Sequence, residues 1–180
     1  MTPPTLTSAR LILTPPVAGD HADMVSLWAD PAVYEAIVGR IFTPEEVWHR
    51  LLRYIGHWQH CGYGHWTVRE AGSGRYLGSV GIMDSRRETV PDFTGTPEVG
   101  WAFLGHAHGH GYAAEALAAL FGWADARLPR TVCIIDPANI ASLRLAARVG
   151  YTIYAEGSYR DRPTRFLERM GGLASQGGEA

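Results

Sequence analysis

The chain is poor in the features that mark several common protein classes. Only Cys61 and Cys133 are cysteine among 180 residues, and they lie far apart in unlike surroundings, so no disulfide framework is expected. No run approaches the roughly 20 apolar residues of a membrane span. Met1 to Pro16 has no apolar signal core, which leads us to expect a cytoplasmic protein off the membrane. The formal net charge of −2 supplies no basic field for nucleic acid. There is no internal repeat and no dividing linker. One domain over residues 1–170 is therefore expected, with a small polar tail at 171–180 expected to be disordered. The common nucleotide loops are missing too. No glycine loop ends in Lys-Ser or Lys-Thr, and none has the three-glycine dinucleotide spacing.

What is present is concentrated between Glu98 and Ala119. Val99, Trp101 and Phe103 alternate with Gly100 and Ala102, as in a pleated strand. Gly105, Gly109 and Gly111 then free the backbone for close approaches. From Ala113 the period turns helical, with Leu117, Leu120, Phe121, Ala124 and Leu128 on one stripe. A loop of small residues opening into a helix presents free backbone N–H groups at the positive end of the helix dipole. That arrangement suits a phosphate or pyrophosphate.

A second strand–turn–helix follows. Val132 to Ile135 reads as a buried strand, and Asp136-Pro137-Ala138-Asn139 as a turn. Asn139 suits an N-cap. The helix runs through Ser142, Leu143, Leu145 and Val149 to a left-handed cap at Gly150, with Arg148 near its negative end.

The first half is less specific. Leu11 to Thr14 reads as an opening strand, and Asp20 as the cap of a short helix that ends near Asp30-Pro31. Thr43 and Glu46 have capping-box spacing around Pro44, and Val47, Leu51, Tyr54, Ile55 and Trp58 continue an apolar face. Trp66 to Val68 and Tyr76 to Ile82 read as a hairpin turning at Ala71–Gly74. Trp66 and Trp101 are core candidates that would also suit a cleft wall, and Cys133 reads as an inert buried thiol. His106, His108 and His110 alternate in a flexible loop without an acid or cysteine among them, so no metal is expected.

His108-Gly109-His110-Gly111-Tyr112-Ala113 resembles the acetyl-coenzyme A loop of the GNAT superfamily of N-acetyltransferases, Arg/Gln-x-x-Gly-x-Gly/Ala. Gly111 and Ala113 fit the last two fixed positions, and His108 replaces the usual Gln or Arg. Asn139, Ser142, Arg148, Gly150 and Tyr151 resemble the family's second motif. The likeness spans roughly Ser8 to Met170 and looks closest to the branch that acetylates ribosomal-protein N-termini.

The resemblance implies an α/β fold of mixed α+β type. In it a central twisted mixed sheet has two splayed parallel strands and is flanked by helices. It implies transfer of an acetyl group from acetyl-CoA to a primary amine, on a protein N-terminus or a small molecule, by direct attack in a ternary complex. A non-catalytic acyl-CoA sensor or interaction module is the alternative. Phe103 and Leu104 would pair with pantetheine amides. His108, Gly109, His110, Gly111, Tyr112 and Ala113 would hold the pyrophosphate, and Asn139 would face the cofactor. Arg144, Arg148, Arg160, Arg162 and Arg165 are candidates for a patch that holds coenzyme phosphates. Glu98 is the expected base, with Glu35, Asp84 and Glu115 behind it. Ala146 stands where many relatives carry a Tyr acid, so Ser142 is the expected proton donor. No metal, nucleic acid or membrane partner is expected, and a homodimer stays open.

Overall fold

A computed structural model describes residues 2–172. The strands β1 (Leu6–Thr7) and β2 (Leu11–Thr14) are followed by helices α1 (His21–Ala29), α2 (Pro31–Ile37) and α3 (Pro44–Cys61). Then come β3 (His65–Glu70), β4 (Tyr76–Met83), β5 (Thr89–Val90), β6 (Glu98–Phe103) and α4 (Tyr112–Ala124). The chain continues with β7 (Arg130–Ile135), α5 (Ile140–Arg148), β8 (Thr152–Tyr159) and β9 (Arg162–Met170). The strands form one mixed sheet in the order β1-β2-β3-β4-β6-β7-β9-β8-β5. Every neighbouring pair is antiparallel except β6 and β7. The expected mixed sheet flanked by helices is therefore present.

Local chemistry accounts for the helix ends. Thr43 Oγ1 accepts from Glu46 N–H at 3.2 Å and Glu46 Oε2 accepts from Thr43 N–H at 2.9 Å, a complete capping box with Pro44 at the first helical position. Gly62, at φ +73°, ends α3 in the left-handed region. Asn139 Oδ1 accepts from Ser142 N–H at 3.0 Å and so caps α5 as expected. Asp20 does not cap α1 with its side chain. Its carboxylate is instead buried between Val17 N–H, Thr67 Oγ1 and Arg69 Nη2. Asp30-Pro31 both stops α1 and starts α2, because Asp30 Oδ1 accepts from Ala32 N–H at 2.9 Å.

Helices α1 and α3 bury Met24, Leu27, Trp28, Val47, Leu51 and Tyr54 on one face of the sheet, against Tyr76, Met83 and Ala102. Helix α4 buries Leu117, Leu120 and Phe121 on the other face, against Leu13, Val68, Val80 and Phe103. Trp66 is fully buried in that second core, within 4.7 Å of Trp58 and 5.3 Å of Trp123 between ring centres, so it does not line a cleft. Among the described residues, no helix is long and apolar enough to cross a membrane. The expected tail at 171–180 lies outside the described residues beyond Gly172.

One irregularity matters for the site. The pairing of β3 with β4 steps from Val68↔Gly78 to Arg69↔Tyr76, which leaves Leu77 as an extra residue on β4. The bulge reverses which side chains face which core, so Leu77 joins Val80 and Ile82 although their numbers differ in parity. Gly78 takes φ +154°, and a Cβ there would collide with the Ala102 carbonyl oxygen. We expect Gly78→Ala to destabilise the fold by about 2 kcal/mol or more, through strain at a special backbone conformation. A chemical-denaturation midpoint equal to wild type would refute this reading of the bulge.

Candidate active site

The parallel strands β6 and β7 touch at only one register point, Glu98↔Val132, where Val132 N–H donates to the Pro97 carbonyl at 3.0 Å. Beyond that point they diverge. On the far side of β6, Leu104 N–H donates to the Leu77 carbonyl at 2.9 Å. Strand backbone groups alternate in direction, so those of Trp101 and Phe103 point into the gap between β6 and β7. His108 then closes one of these groups. Its Nε2–H donates to the Phe103 carbonyl at 2.9 Å, which fixes the tautomer and folds the loop back on its strand. Within the pair expected to meet pantetheine, the N–H of Leu104 is therefore committed to the sheet. The N–H of Phe103 and the backbone of Trp101 face the opening.

The glycine loop lies at the C-terminal end of β6. Gly109 and Gly111 sit at φ +78° and +79°, and Gly111 is the N-cap residue of α4. A Cβ on Gly109 would meet nothing within 4 Å, so the loop surface is open there. Glu115 N–H, in the first turn of α4, bonds to the Gly111 carbonyl, and the N–H groups ahead of it point outward as at any helix start. Tyr112 turns inward and donates to Glu70 Oε1 at 2.8 Å. His110 lies with its ring 5.7 Å from the Tyr112 ring. Arg10, which carries no signal in the sequence, stacks over Tyr112 at 4.7 Å and pairs with Glu115 at 2.6 Å. Glu115, one of the reserve bases, is thereby occupied by Ser8 and Arg10.

At the other end of the gap, a cleft of about 1050 Å³ brings together Glu98, Trp101, Cys133, Asn139 and Ser142. None of residues 108–113 lines it, so loop and cleft occupy opposite ends of the splay. Asn139 Nδ2 also donates to the Ala36 carbonyl at 3.3 Å, tying α5 to α2. Glu98 is not a strand-end surface carboxylate. It is 7% exposed, and its Oε2 accepts from Arg87 Nε at 2.6 Å. Burial opposes the charge on Arg87, but the Glu98 carboxylate outweighs it and holds that guanidinium above its ordinary pKa. Cys133 is buried as expected, and burial together with Glu98 pushes its thiol well up. Ala146 is fully buried in the core under α4, away from the cleft wall.

Of the five arginines considered for a phosphate patch, Arg162 pairs with Asp136 at 2.8 Å and Arg165 with Glu156 at 3.1 Å. Arg160 and Arg162 line the cleft instead of gathering at the glycine loop. Among the described residues, no group of three or more His, Cys, Asp or Glu side chains has metal-binding geometry.

No local sequence signal singles out His65. It opens β3, is buried, and stacks on Tyr54 with ring centres 3.9 Å apart and planes 3° apart. Its Nδ1 has no partner, and the ring lines the cleft. Burial, and then the positive charges of Arg50 and Arg53, press its pKa well below 6.5. The imidazole is therefore neutral at neutral pH.

A family model described as an acetyltransferase (GNAT) domain matches residues 10–152. The uncharacterized protein YkkB of Bacillus subtilis is 32% identical over 93 residues, which are 49% of this chain and 52% of that protein. The match thus spans about half the length of that curated relative. A GNAT-family protein of Bordetella pertussis superposes with a TM-score of 0.81 at 28% identity, covering 92% of this chain and 99% of that one. The ribosomal-protein acetyltransferase RimL, in complex with coenzyme A, superposes with a TM-score of 0.75 at 16% identity, over 93% and 99% of the two chains. At that identity RimL attests the shared fold alone.

His65 makes stability depend on pH. Between pH 6.5 and its lower folded value, the unfolded chain binds a proton that the folded chain refuses, so stability falls as pH falls through that window. The limiting slope is about 1.4 kcal/mol per pH unit. Urea midpoints at pH 7.5, 6.5 and 5.5 should show this slope in wild type and lose much of it in His65→Asn, whatever the variant's absolute stability. Parallel profiles would show that His65 is not held neutral.

Proposed function

The chain belongs to the GNAT acetyltransferase family, and on that premise we propose that it is an N-acetyltransferase. It moves an acetyl group from acetyl-CoA to a primary amine by direct attack in a ternary complex. The observation that carries this reading is the splay of β6 from β7 after one register point, with the glycine loop at one end and a polar cleft at the other. Residues with no Cβ, open space above Gly109 and a helix start behind the loop are the features a pyrophosphate needs.

In this proposal the backbone of His108, Gly109, His110, Gly111, Tyr112 and Ala113 receives the pyrophosphate. The backbone of Trp101 and Phe103 pairs with the pantetheine arm, and Leu104 and Asn139 shape its path. Trp101 N–H faces the reacting carbonyl and stabilises the oxyanion as the new C–N bond forms. Glu98 takes the amine proton through a water, by the carboxylate oxygen that Arg87 leaves open. Ser142, in the first turn of α5, supplies a proton or hydrogen bond to the thiolate as the C–S bond breaks. The protein works in the cytoplasm, and a homodimer is compatible with this scheme.

The primary test is thiol release from acetyl-CoA with a panel of amines. Binding of acetyl-CoA without turnover of any amine would mark the chain as an acyl-CoA-binding module instead. Gly111→Val forces a β-branched residue to φ +79° and should weaken acetyl-CoA binding at least tenfold by calorimetry in a folded protein. Unchanged affinity would remove the loop from the site. Glu98→Gln should suppress the alkaline-rising limb of the kcat/KM profile, and Ser142→Ala should lower kcat more than it changes the KM for acetyl-CoA. A Glu98→Gln enzyme with wild-type kcat/KM across that range would place the base elsewhere.

A further inference from the structure

Charges lining the cleft are mostly matched. Arg87 pairs with Glu98, Arg86 with Asp84 at 3.0 Å, and Arg162 with Asp136. Five charged lining residues remain, namely Arg50, Arg53, Arg160, Glu88 and Asp161. Of these, Glu88, Arg160, Asp161 and Arg53 are exposed at the rim, whereas Arg50 is half-buried. Among the described residues, neither Arg50 nor Arg53 has a carboxylate within 4.0 Å.

Arg50 is nevertheless held firmly. Its guanidinium stacks over Trp28 at 4.2 Å and over Phe42 at 4.8 Å, and its Nη1 donates to Tyr54 Oη at 3.3 Å. Among the described residues that is its one hydrogen bond, so most of a five-donor fork faces no acceptor. A second observation points the same way. Trp28 lines the same cleft, is 4% exposed, and has its indole N–H buried without an acceptor. Indole N–H and guanidinium groups only donate. The neighbouring His65 is kept neutral, by burial and then by Arg50 and Arg53 themselves, and so adds no charge of its own.

We infer that the acceptor is an amine that also carries an oxyanion, a carboxylate or a phosphate, seated against Arg50 and Trp28 with Arg53 guiding entry. The inference rests on the acetyltransferase reading for the amine, but not for the anion. A planar guanidinium stacked on an aromatic ring is already oriented for a two-pronged bond to an oxyanion. Polyamines and other polycations would meet uncompensated positive charge where they need acid. A neutral amine would leave buried donors unsatisfied, which disfavours it relative to an acceptor-bearing one.

Two measurements test this on the full chain. In the first, acetyl-CoA turnover is compared within matched pairs: the α-amino acids against their amides, 2-aminoethyl phosphate against ethanolamine, and spermidine as the polycation. The anionic member of the preferred pair should lead in kcat/KM at least tenfold, and the winning pair tells carboxylate from phosphate. In the second, coenzyme A-saturated protein is titrated calorimetrically with acetate and with inorganic phosphate. Saturable binding of one anion should weaken at least tenfold in Arg50→Gln, and likewise in Arg50→Met, which keeps an apolar stem on Trp28 and Phe42. Arg50→Gln should also erase the preference for the anionic amine while the KM for acetyl-CoA moves less than twofold. If amides or spermidine match the acids and no Arg50-dependent anion binding is seen, the anionic acceptor is overturned and the acetyltransferase reading stands. If no amine turns over but anion binding depends on Arg50, the anion site stands and the acetyltransferase reading falls.

Discussion

Sheet continuity is interrupted at one place, and the rest of the molecule is arranged around that interruption. A parallel pair that separates after Glu98↔Val132 leaves the backbone polar groups of Trp101 and Phe103 with no strand to meet. Unpaired backbone groups in a sheet centre are costly unless something else satisfies them. The fold uses His108 for one, the Phe103 carbonyl, and leaves the rest facing the gap. The bulge at Leu77 serves the same end from the other side of β6. It lets Leu77 cover the core while its carbonyl holds Leu104 N–H, so β6 stays anchored to β4 along the stretch that has parted from β7.

The cleft at the near end of the splay is built from charge held in place by aromatic rings. Arg50 lies on Trp28 and Phe42, and Arg87 lies 4.8 Å above Tyr159. Stacking fixes a guanidinium without neutralising it. That is how one arginine can remain unmatched beside an ion pair as close as Arg87–Glu98. Burial, together with the same positive surroundings, keeps His65 uncharged, and Glu98, a buried carboxylate of the cleft, is already shared with Arg87.

The elements legible in the sequence were those whose signals are local. The capping box at Thr43, the Asn139 cap, the Gly150 stop and the alternation in β6 each depend on a few adjacent residues, and all are present. Strands β8 and β9 left little trace. They lie toward the sheet's edge with many exposed positions, and their two-residue turn uses Arg160 and Asp161 at φ +51° and +60° instead of Asn-Gly. Helix α2 is hidden in the sequence because Asp30-Pro31 signals a helix stop as well as a helix start. The cleft residues were illegible for a different reason. The chain has no lysine, so all 16 of its basic residues are arginine, and residue type cannot distinguish Arg50 from the others. What distinguishes it is a half-buried seat on Trp28 and Phe42 with no acid nearby, a property of the folded surface. His65 likewise became notable only through Tyr54 beneath it and the orphaned Nδ1.

The buried Ala146 shifts attention from the departing thiol to the incoming amine. A thiol of pKa about 8.5 that leaves as thiolate at pH 7 is uphill by only about 2 kcal/mol, so a missing acid costs at most a modest factor. An alkylamine of pKa about 10.4 must give up a proton at a cost of about 4.6 kcal/mol at the same pH, whereas a peptide α-amine near pKa 8 needs about 1.4. A peptide α-amine thus asks no more than the thiol does, whereas for an alkylamine the larger demand falls on the acceptor side. There the structure is densest in polar side chains, with Glu98, Arg87, His65, Tyr54 and Arg50 converging on one cleft. On the thiol side, Ser142 stands in the first turn of α5 and Ala146 is withdrawn into the core. In the proposed reaction this wall orients and deprotonates the amine. The Ser142 hydroxyl is then the help that α5 gives the departing thiolate, because Ala146 offers none.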